Sequence, residues 1–412
     1  MHDRPKSVSL DILKNGKVQI LVAVNRKGVD WLKTFADIEG VKCWGVKEGK
    51  NGLGIVVCKG KAAAVYTTNR IKAAPVLYNM SSLKGEIEGI IVNSGNANAF
   101  TGKKGLENAK MMAEMLADRL GCDSTKIAVA STGVIGRQLD MKLIEMMFNE
   151  VYPKLSAGRE AAEAFATAIM TTDRFPKLYS AKAGDAVVAG VAKGAGMMAP
   201  NMATMLAFIF TDADFRPDEL QEMLKEAADR SFNVTVVDGD TSTNDMVLLV
   251  STGRRKVDRK TFYNALLDVC VNLAKMMARD GEGATKLMEV VVKGAKNSEE
   301  AFKAAKTVAS SLLVKTAVFG NDPNWGRIIA ALGYSGIEVD EDITLDFVSD
   351  GRTVRLLEKG VATGKEGEAG ELMKKSSEIR IVVDLHKGGG EGYAFGCDLT
   401  YDYVRLNAEY TT

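Results

Sequence analysis

Apolar, β-branched runs alternate with helical patterns from one end of the chain to the other. Continuous Val/Ile/Leu-rich runs predict strands at 18–24, 54–57, 87–92, 127–130, 186–191, 205–211, 246–251, 290–293, 379–385 and 395–406. Runs without strict polar alternation belong to strands covered on both faces. Apolar residues at helical spacing predict helices over 106–120, 141–148, 158–170, 218–231, 260–279 and 299–313. In the first of these, Ala109, Met112, Met115, Leu116 and Leu120 form one stripe that can bury against a sheet. Most of the 19 methionines fall on such stripes, where they fill core gaps rather than bind ligands. Pro217, followed by Asp218 and Glu219, starts a helix well: a first-turn proline loses no hydrogen bond, and carboxylates favour the positive end of the helix dipole. Segment 358–375, rich in Gly, Glu and Lys, reads as a surface loop or short helix. The pattern is that of an α/β protein, sheets covered by helices.

Length and charge narrow the function classes. The chain has 412 residues, room for two or three domains at about 150 residues each. With 54 Lys+Arg against 53 Asp+Glu, it lacks the basic excess of a nucleic-acid binder. No apolar run nears the ~20 residues of a membrane span, and the polar start Met1-His2-Asp3-Arg4-Pro5 lacks a signal peptide's apolar core. Cys43, Cys58, Cys122, Cys270 and Cys397 are scattered and never form a CxxC pair, which points to reduced thiols in the cytoplasm. Only two histidines occur, His2 and His386. A Ser-His-Asp triad needs an imidazole to take the hydroxyl proton, and a zinc site usually needs clustered His or Cys. An enzyme with this sequence therefore needs another base, and no metal or cofactor is implied.

Two glycine-rich motifs fail on their context. Gly194-Ala195-Gly196-Met197-Met198-Ala199 fits the dinucleotide pattern, but Pro200-Asn201 follows where a Rossmann loop would open a helix. Gly360–Lys365 is one residue short of a P-loop and continues Lys-Glu. A non-catalytic nucleotide-binding protein is thus a poor reading, and Gly388–Gly390 reads as a turn. Six segments are dense in Asn, Thr, Gly and Asp: 67–69, 93–98, 131–136, 238–245, 280–286 and 320–327. Any one of them alone is turn chemistry. Six beside strands and helices suggest the polar loops of an α/β enzyme site.

The sharpest segment runs from Lys193 to Leu206. Taken bare, its Thr204 is a β-branched residue opening a strand. In context the sequence resembles the glutamate N-acetyltransferase (ornithine acetyltransferase) family of arginine biosynthesis. Nine segments stand in that family's order: Thr67–Asn69 with Ala73–Val76, Asn93–Asn98, Ser131–Gly136, Thr171–Asp173, Lys193–Leu206, Asp240–Asp245, Gly281–Lys286, Gly320–Arg327 and Cys397–Val404. Together they cover nearly the whole chain.

The resemblance implies a DmpA/ornithine-acetyltransferase-type α/β sandwich with a second, smaller α/β domain. It implies self-cleavage between Ala203 and Thr204, giving an alpha piece 1–203 and a beta piece 204–412. The Thr204 hydroxyl would attack the Ala203 carbonyl, and water would hydrolyse the resulting ester. The freed α-amine, with an unperturbed pKa of ~7.7–8.0, can take the proton of its own hydroxyl. That arrangement needs no histidine. The implied reaction is ping-pong: Thr204 takes acetyl from N-acetylornithine, and glutamate then takes it from Thr204. Acetyl-CoA as a donor is left open.

By the same resemblance, the Thr132 hydroxyl and the Gly133 N–H form the oxyanion hole. Lys193 and Glu282 match a substrate's carboxylate and ammonium, with Thr171 or Thr172, Thr204, Asn407 and the terminal Thr412 completing the substrate set. The pieces are expected to assemble as α2β2. Arg174 departs from the family pattern, where a small polar residue is common. An N-terminal-nucleophile amidohydrolase or aminopeptidase, with water as acceptor, is the alternative; the Lys193/Glu282 pairing favours transfer to an amino acid.

Overall fold

The computed structural model describes residues 33–198 and 205–409. Up to residue 198 the chain forms β1 (Lys42–Glu48), β2 (Asn51–Tyr66), α1 (Ala74–Ser82), β3 (Glu86–Asn96), α2 (Gly102–Leu120), β4 (Ile127–Val134), α3 (Met141–Val151), α4 (Arg159–Ile169), β5 (Lys177–Ala183) and β6 (Ala186–Lys193). From residue 205 it forms β7 (Leu206–Ala213), α5 (Pro217–Asp229), β8 (Thr235–Val236), β9 (Met246–Arg255), α6 (Arg259–Arg279), β10 (Leu287–Ala295), α7 (Ser298–Ser310) and α8 (Leu312–Gly320). The last third holds α9 (Trp325–Gly333), β11 (Thr344–Ser349), β12 (Arg352–Glu358), β13 (Val361–Ala362), α10 (Glu366–Lys375), β14 (Glu378–Asp384), β15 (Gly390–Cys397) and α11 (Tyr401–Glu409).

Eight strands make the first sheet, in the order β4-β3-β2-β9-β7-β6-β5, with β1 paired along β2. Strand β7 explains why its run is apolar throughout. Leu206, Phe208 and Phe210 point into one buried cluster with Phe35 and Phe165, while Ala207 and Ile209 point into another. Both faces are covered, so neither can be polar. The first cluster is dense in rings: Phe35 stacks on Phe210 at 5.0 Å, and Phe165 meets Phe208 edge-on at 5.8 Å. On α2, Ala109, Met112 and Leu116 bury against Ile91 and Val129, as the helical stripe predicts.

The second sheet has seven strands, ordered β13-β12-β11-β14-β10-β15-β8. Helix α6 packs against β5 and β6 of the first sheet and against β10 and β15 of the second. Its Leu266, Val269, Leu273 and Met277 share one continuous core with Val188 and Ile209 on one side and Met288 and Phe395 on the other. The mixed α/β sandwich with a second α/β layer is therefore present, and the two sheets share a core. The end of α6 carries Asp280-Gly281-Glu282 to the place where the strands of the first sheet stop.

Two predicted elements are corrected. The run 395–406 is not one strand: β15 ends at Cys397 and α11 follows. Asp398 turns away to accept the N–H groups of Thr285 (2.8 Å) and Lys286 (2.9 Å), and the Thr400 hydroxyl accepts Tyr403 N–H as a helix N-cap. The helix predicted over 299–313 breaks at Ser311, whose hydroxyl caps α8 through Val314 N–H. The strand predicted at 18–24 lies outside the described residues. Segment 358–375 holds β13 and α10.

No helix among the described residues is long and apolar enough to cross a membrane. All five cysteines are free thiols, and burial pushes that of Cys58 up to about 12.

Candidate active site

Lys193 is the last residue of β6, and its side chain turns inward, 1% exposed. Its Nζ donates to Thr132 Oγ1 at 3.0 Å and to Thr171 Oγ1 at 2.9 Å. Thr132 sits near the end of β4, in register with Ser94 of β3. Of the two neighbouring threonines, Thr171 is the one that Lys193 reaches. Gly133 follows with φ +132°, and a Cβ there would stand 2.3 Å from the Gly95 carbonyl carbon and 2.6 Å from Asn96 N. Only glycine permits this backbone beside β3.

A buried ion triad underlies these groups. Lys177 Nζ contacts Asp173 Oδ1 at 2.6 Å and Asp280 Oδ2 at 2.7 Å, and all three side chains are fully buried. Asp173 spends its remaining capacity on backbone, accepting Gly194 N–H at 2.7 Å and Thr171 N–H at 3.1 Å. One carboxylate thereby fixes both the residue after Lys193 and the threonine that Lys193 touches. Asp280 likewise accepts Arg174 N–H (3.0 Å) and Nε–H (2.8 Å), which gives the unusual arginine a structural partner.

Burial disfavours every charge here, and the neighbours decide each outcome. For Asp173, burial pushes upward, but Lys177 and Lys193 outweigh it and hold the carboxyl well below its ordinary range. Lys177 is depressed by burial and more than restored by Asp173 and Asp280. Lys193 ends lowered: burial dominates and Lys177 adds to it, against Asp173, Asp245 and Glu282. Lys47, on β1, is pulled down to about 8, first by burial and then by Lys193. Its Nζ donates to Ser94 Oγ at 2.9 Å and to the Met170 carbonyl.

A second polar pair lies beside the first. Glu282 N–H bonds the Ala195 carbonyl at 2.8 Å, and its carboxylate rests where a Gly196 Cβ would come within 2.4 Å of it. Asn407 Nδ2 of α11 donates to Glu282 Oε2 at 2.9 Å. The flanks of segment 199–204 are held by two aspartates of the loop before β9. Asp238 accepts Met197 N–H (2.6 Å) and Met198 N–H (2.8 Å), and Asp245 accepts Met205 N–H (2.8 Å). Asn244 ties that loop to the β4 end by donating to the Ala97 and Ser131 carbonyls at 2.6 and 2.8 Å.

Thr132, Thr171 and Lys193 are thus joined directly, and Glu282 with Asn407 is joined to them through residues 194–196. Thr172 has no hydrogen bond to Lys193 among the described residues. Ala203, Thr204 and Thr412 lie outside the described residues. Sequence reasoning left Lys47, Lys177, Asp245 and Asp280 without roles. Asp245 and Asp280 stand in polar segments it singled out, whereas Lys47 and Lys177 carry no local signal of burial. No group of three or more His, Cys, Asp or Glu among the described residues is placed to hold a metal ion.

Residues 38–412 match the ArgJ family. The chain belongs to that family. The arginine biosynthesis bifunctional protein ArgJ of Archaeoglobus fulgidus is 58% identical over 381 residues, spanning 92% of this chain and 100% of its own. The glutamate N-acetyltransferase of Methanothermobacter thermautotrophicus is 49% identical over 387 residues, spanning 91% and 96%. Among solved structures, the ArgJ bifunctional protein of Bacillus halodurans is 47% identical, covering 49% of this chain and 98% of that chain, with a TM-score of 0.47. This ArgJ-family chain is an acyltransferase of arginine biosynthesis, in line with the family resemblance carried by the nine segments.

Proposed function

We propose that this ArgJ-family enzyme carries acetyl from N2-acetylornithine to glutamate through an ester on Thr204, after cutting itself between Ala203 and Thr204. The observation that carries the reading is Lys193, buried against the hydroxyls of Thr132 and Thr171 beside Gly133. By donating to Thr132 Oγ1, Lys193 polarises that hydroxyl, so its O–H donates more strongly to an oxyanion. The Gly133 N–H supplies the second donor. One such donor is worth roughly 3–4 kcal/mol of barrier.

In the first half-reaction the Thr204 oxygen bonds the acetyl carbon, the acetyl–nitrogen bond breaks, and ornithine leaves with the proton. In the second, the glutamate amine bonds the same carbon and the ester bond breaks. The Thr204 α-amine takes and returns the hydroxyl proton. Glu282 and Asn407 offer a carboxylate and an amide to the substrate's ammonium, and Lys193 keeps a third N–H for its carboxylate.

The two pieces, 1–203 and 204–412, stay together in this reading because β6 and β7, on either side of the cut, pair in one sheet, Lys193 opposite Leu206. Assembly as α2β2 in the cytoplasm completes the proposal. Intact mass and N-terminal sequencing should give two pieces, the second starting at Thr204. The active protein should release ornithine from N2-acetylornithine and form N-acetylglutamate when glutamate is added. The Thr204→Ala chain should neither cut nor transfer. Active protein running as one full-length band would refute the cut, and release of free acetate alone would make the enzyme a hydrolase. The same assay with acetyl-CoA in place of N2-acetylornithine decides whether it is a second donor.

A further inference from the structure

Two cations stand side by side in the site, and neither forms an ion pair with a carboxylate among the described residues. Lys47 Nζ, from β1, donates to Ser94 Oγ at 2.9 Å and to the Met170 carbonyl. Lys193 Nζ, from β6, donates to the Thr132 and Thr171 hydroxyls. Thr171 directly follows Met170, and Ser94 of β3 is in register with Thr132 of β4. Paired strands lie ~4.8 Å apart, so the chain on one side and the sheet on the other bring the two ammonium groups together. Ser94 is fixed in its part: its hydroxyl donates to the Ala168 carbonyl at 2.7 Å, which leaves its lone pairs to Lys47.

The carboxylates at hand are committed elsewhere. Asp173 pairs with Lys177 and takes the N–H groups of Gly194 and Thr171, and Asp280 divides itself between Lys177 and Arg174. Asp245 and Glu282 act on Lys193 from beyond ion-pair distance. Burial, and after it the positive charge of Lys193, pull Lys47 down to about 8, against a weaker upward pull from Asp173. Lys47 therefore still carries its proton at about pH 7. Each ammonium has three N–H groups and spends two, so the pair offers two N–H groups and an excess of positive charge to an anion.

A cation at a helix C-terminus is an ordinary stabilising contact, and Met170 is the C-cap of α4. That accounts for the Met170 contact. It does not account for a second ammonium brought beside the first with no anion between them.

We propose that Lys47 is a substrate-binding residue, which together with Lys193 clamps the α-carboxylate that N2-acetylornithine and glutamate share. The proposal rests on the acetyl-transfer reading and adds a residue to its pocket. The shared carboxylate fits because the two substrates take turns in one site. A cation pair reserved for the glutamate side chain would repel the ornithine side-chain ammonium standing in the same place.

The test is steady-state kinetics on the purified, active protein. Lys47→Met keeps the volume of the stem, strands no carboxylate and removes the charge. Its KM for N2-acetylornithine and for glutamate should each rise at least tenfold, and on the order of 100-fold for a lost hydrogen bond between charged groups, with kcat within tenfold of the parent. A rise below tenfold for either substrate overturns the proposal. So does a larger fall in kcat, which marks Lys47 as a prop for Thr132 and Thr171. Lys47→Gln keeps an N–H donor but no charge, and both its KM values should also rise at least tenfold. Smaller rises there would make the contact a structural hydrogen bond and overturn the proposal, as would failure of both variants to fold.

Inhibition gives a readout that a structural role would not move. Ornithine should inhibit Lys47→Met at least tenfold more weakly than it inhibits the parent. 1,4-Diaminobutane, which is ornithine without its carboxylate, should inhibit the two enzymes equally to within about threefold. A larger loss with 1,4-diaminobutane, or a smaller one with ornithine, overturns the assignment. A parent that releases no ornithine from N2-acetylornithine would defeat the acetyl-transfer reading, whereas an active parent with unchanged Lys47 variants defeats only this assignment.

Discussion

Replacing Lys177 by Met tests whether the buried triad supports the site. Methionine keeps most of the lysine stem's volume and removes the cation that stands 2.6 and 2.7 Å from Asp173 and Asp280. Asp173 is then left with no ion pair among the described residues and Asp280 keeps only the Arg174 guanidinium at 2.8 Å, both carboxylates lying where no water reaches them. Breaking a buried pair by deleting one partner costs about 3–5 kcal/mol, and urea unfolding of the purified assembly at pH 7 should show a loss of that size. Adding Asp280→Asn removes one of the two buried negative charges and should return roughly 1–3 kcal/mol, a coupling typical of side chains in one network.

The pH dependence supplies an independent sign. Asp173's folded-state pKa lies below its unfolded one, so its contribution is present above about pH 4 and lost as pH falls below that. The gap between parent and variant should therefore narrow in acid. A loss under about 1 kcal/mol, or Asp280→Asn adding its full single-variant cost on top, would refute the claim that Lys177 holds these carboxylates in balance. Turnover should fall with stability, because Asp173 also holds Gly194 and Thr171.

Two further substitutions probe the site proper. Gly133→Ala forces a Cβ to within 2.3 Å of the Gly95 backbone at φ +132°, so the proposed oxyanion donor must move; kcat should fall roughly 100-fold with KM near the parent value. A kcat within threefold of the parent would remove Gly133 from that role. Asn407→Ala deletes a donor to Glu282 at an exposed position, and KM should rise about tenfold with kcat nearly unchanged. Unchanged KM for both amino-acid substrates would place the pair outside the substrate pocket.

The alternation of strand and helix was legible wherever both faces of an element are apolar or one face carries a complete stripe. Strands β3, β4, β7 and β9 and helices α2 and α6 are of this kind, because burial on the sheet faces or along a helical stripe leaves a pattern in neighbouring residues. The run 395–406 misled because Tyr401, Tyr403, Val404 and Leu406 look like strand residues, while α11 buries no stripe that could announce a helix. The edge strand β5 and β12, which lies next to the two-residue edge strand β13, are half polar and announce themselves no better.

Spacing and residue order by themselves determined the family and the loops in which a site had to lie, since those depend on local chemistry and on segments kept in sequence. Charge state was decided only in three dimensions. Lys177 and Asp173, four positions apart, would read as a solvated surface pair; the arrival of Asp280 at the end of α6, 103 residues later, closes water out and makes the three charges depend on one another. Asp245 likewise acquires its buried carboxyl from chain segments remote in sequence, Met205 among them. Desolvation is a property of everything packed around a group, and no local pattern of residues encodes it.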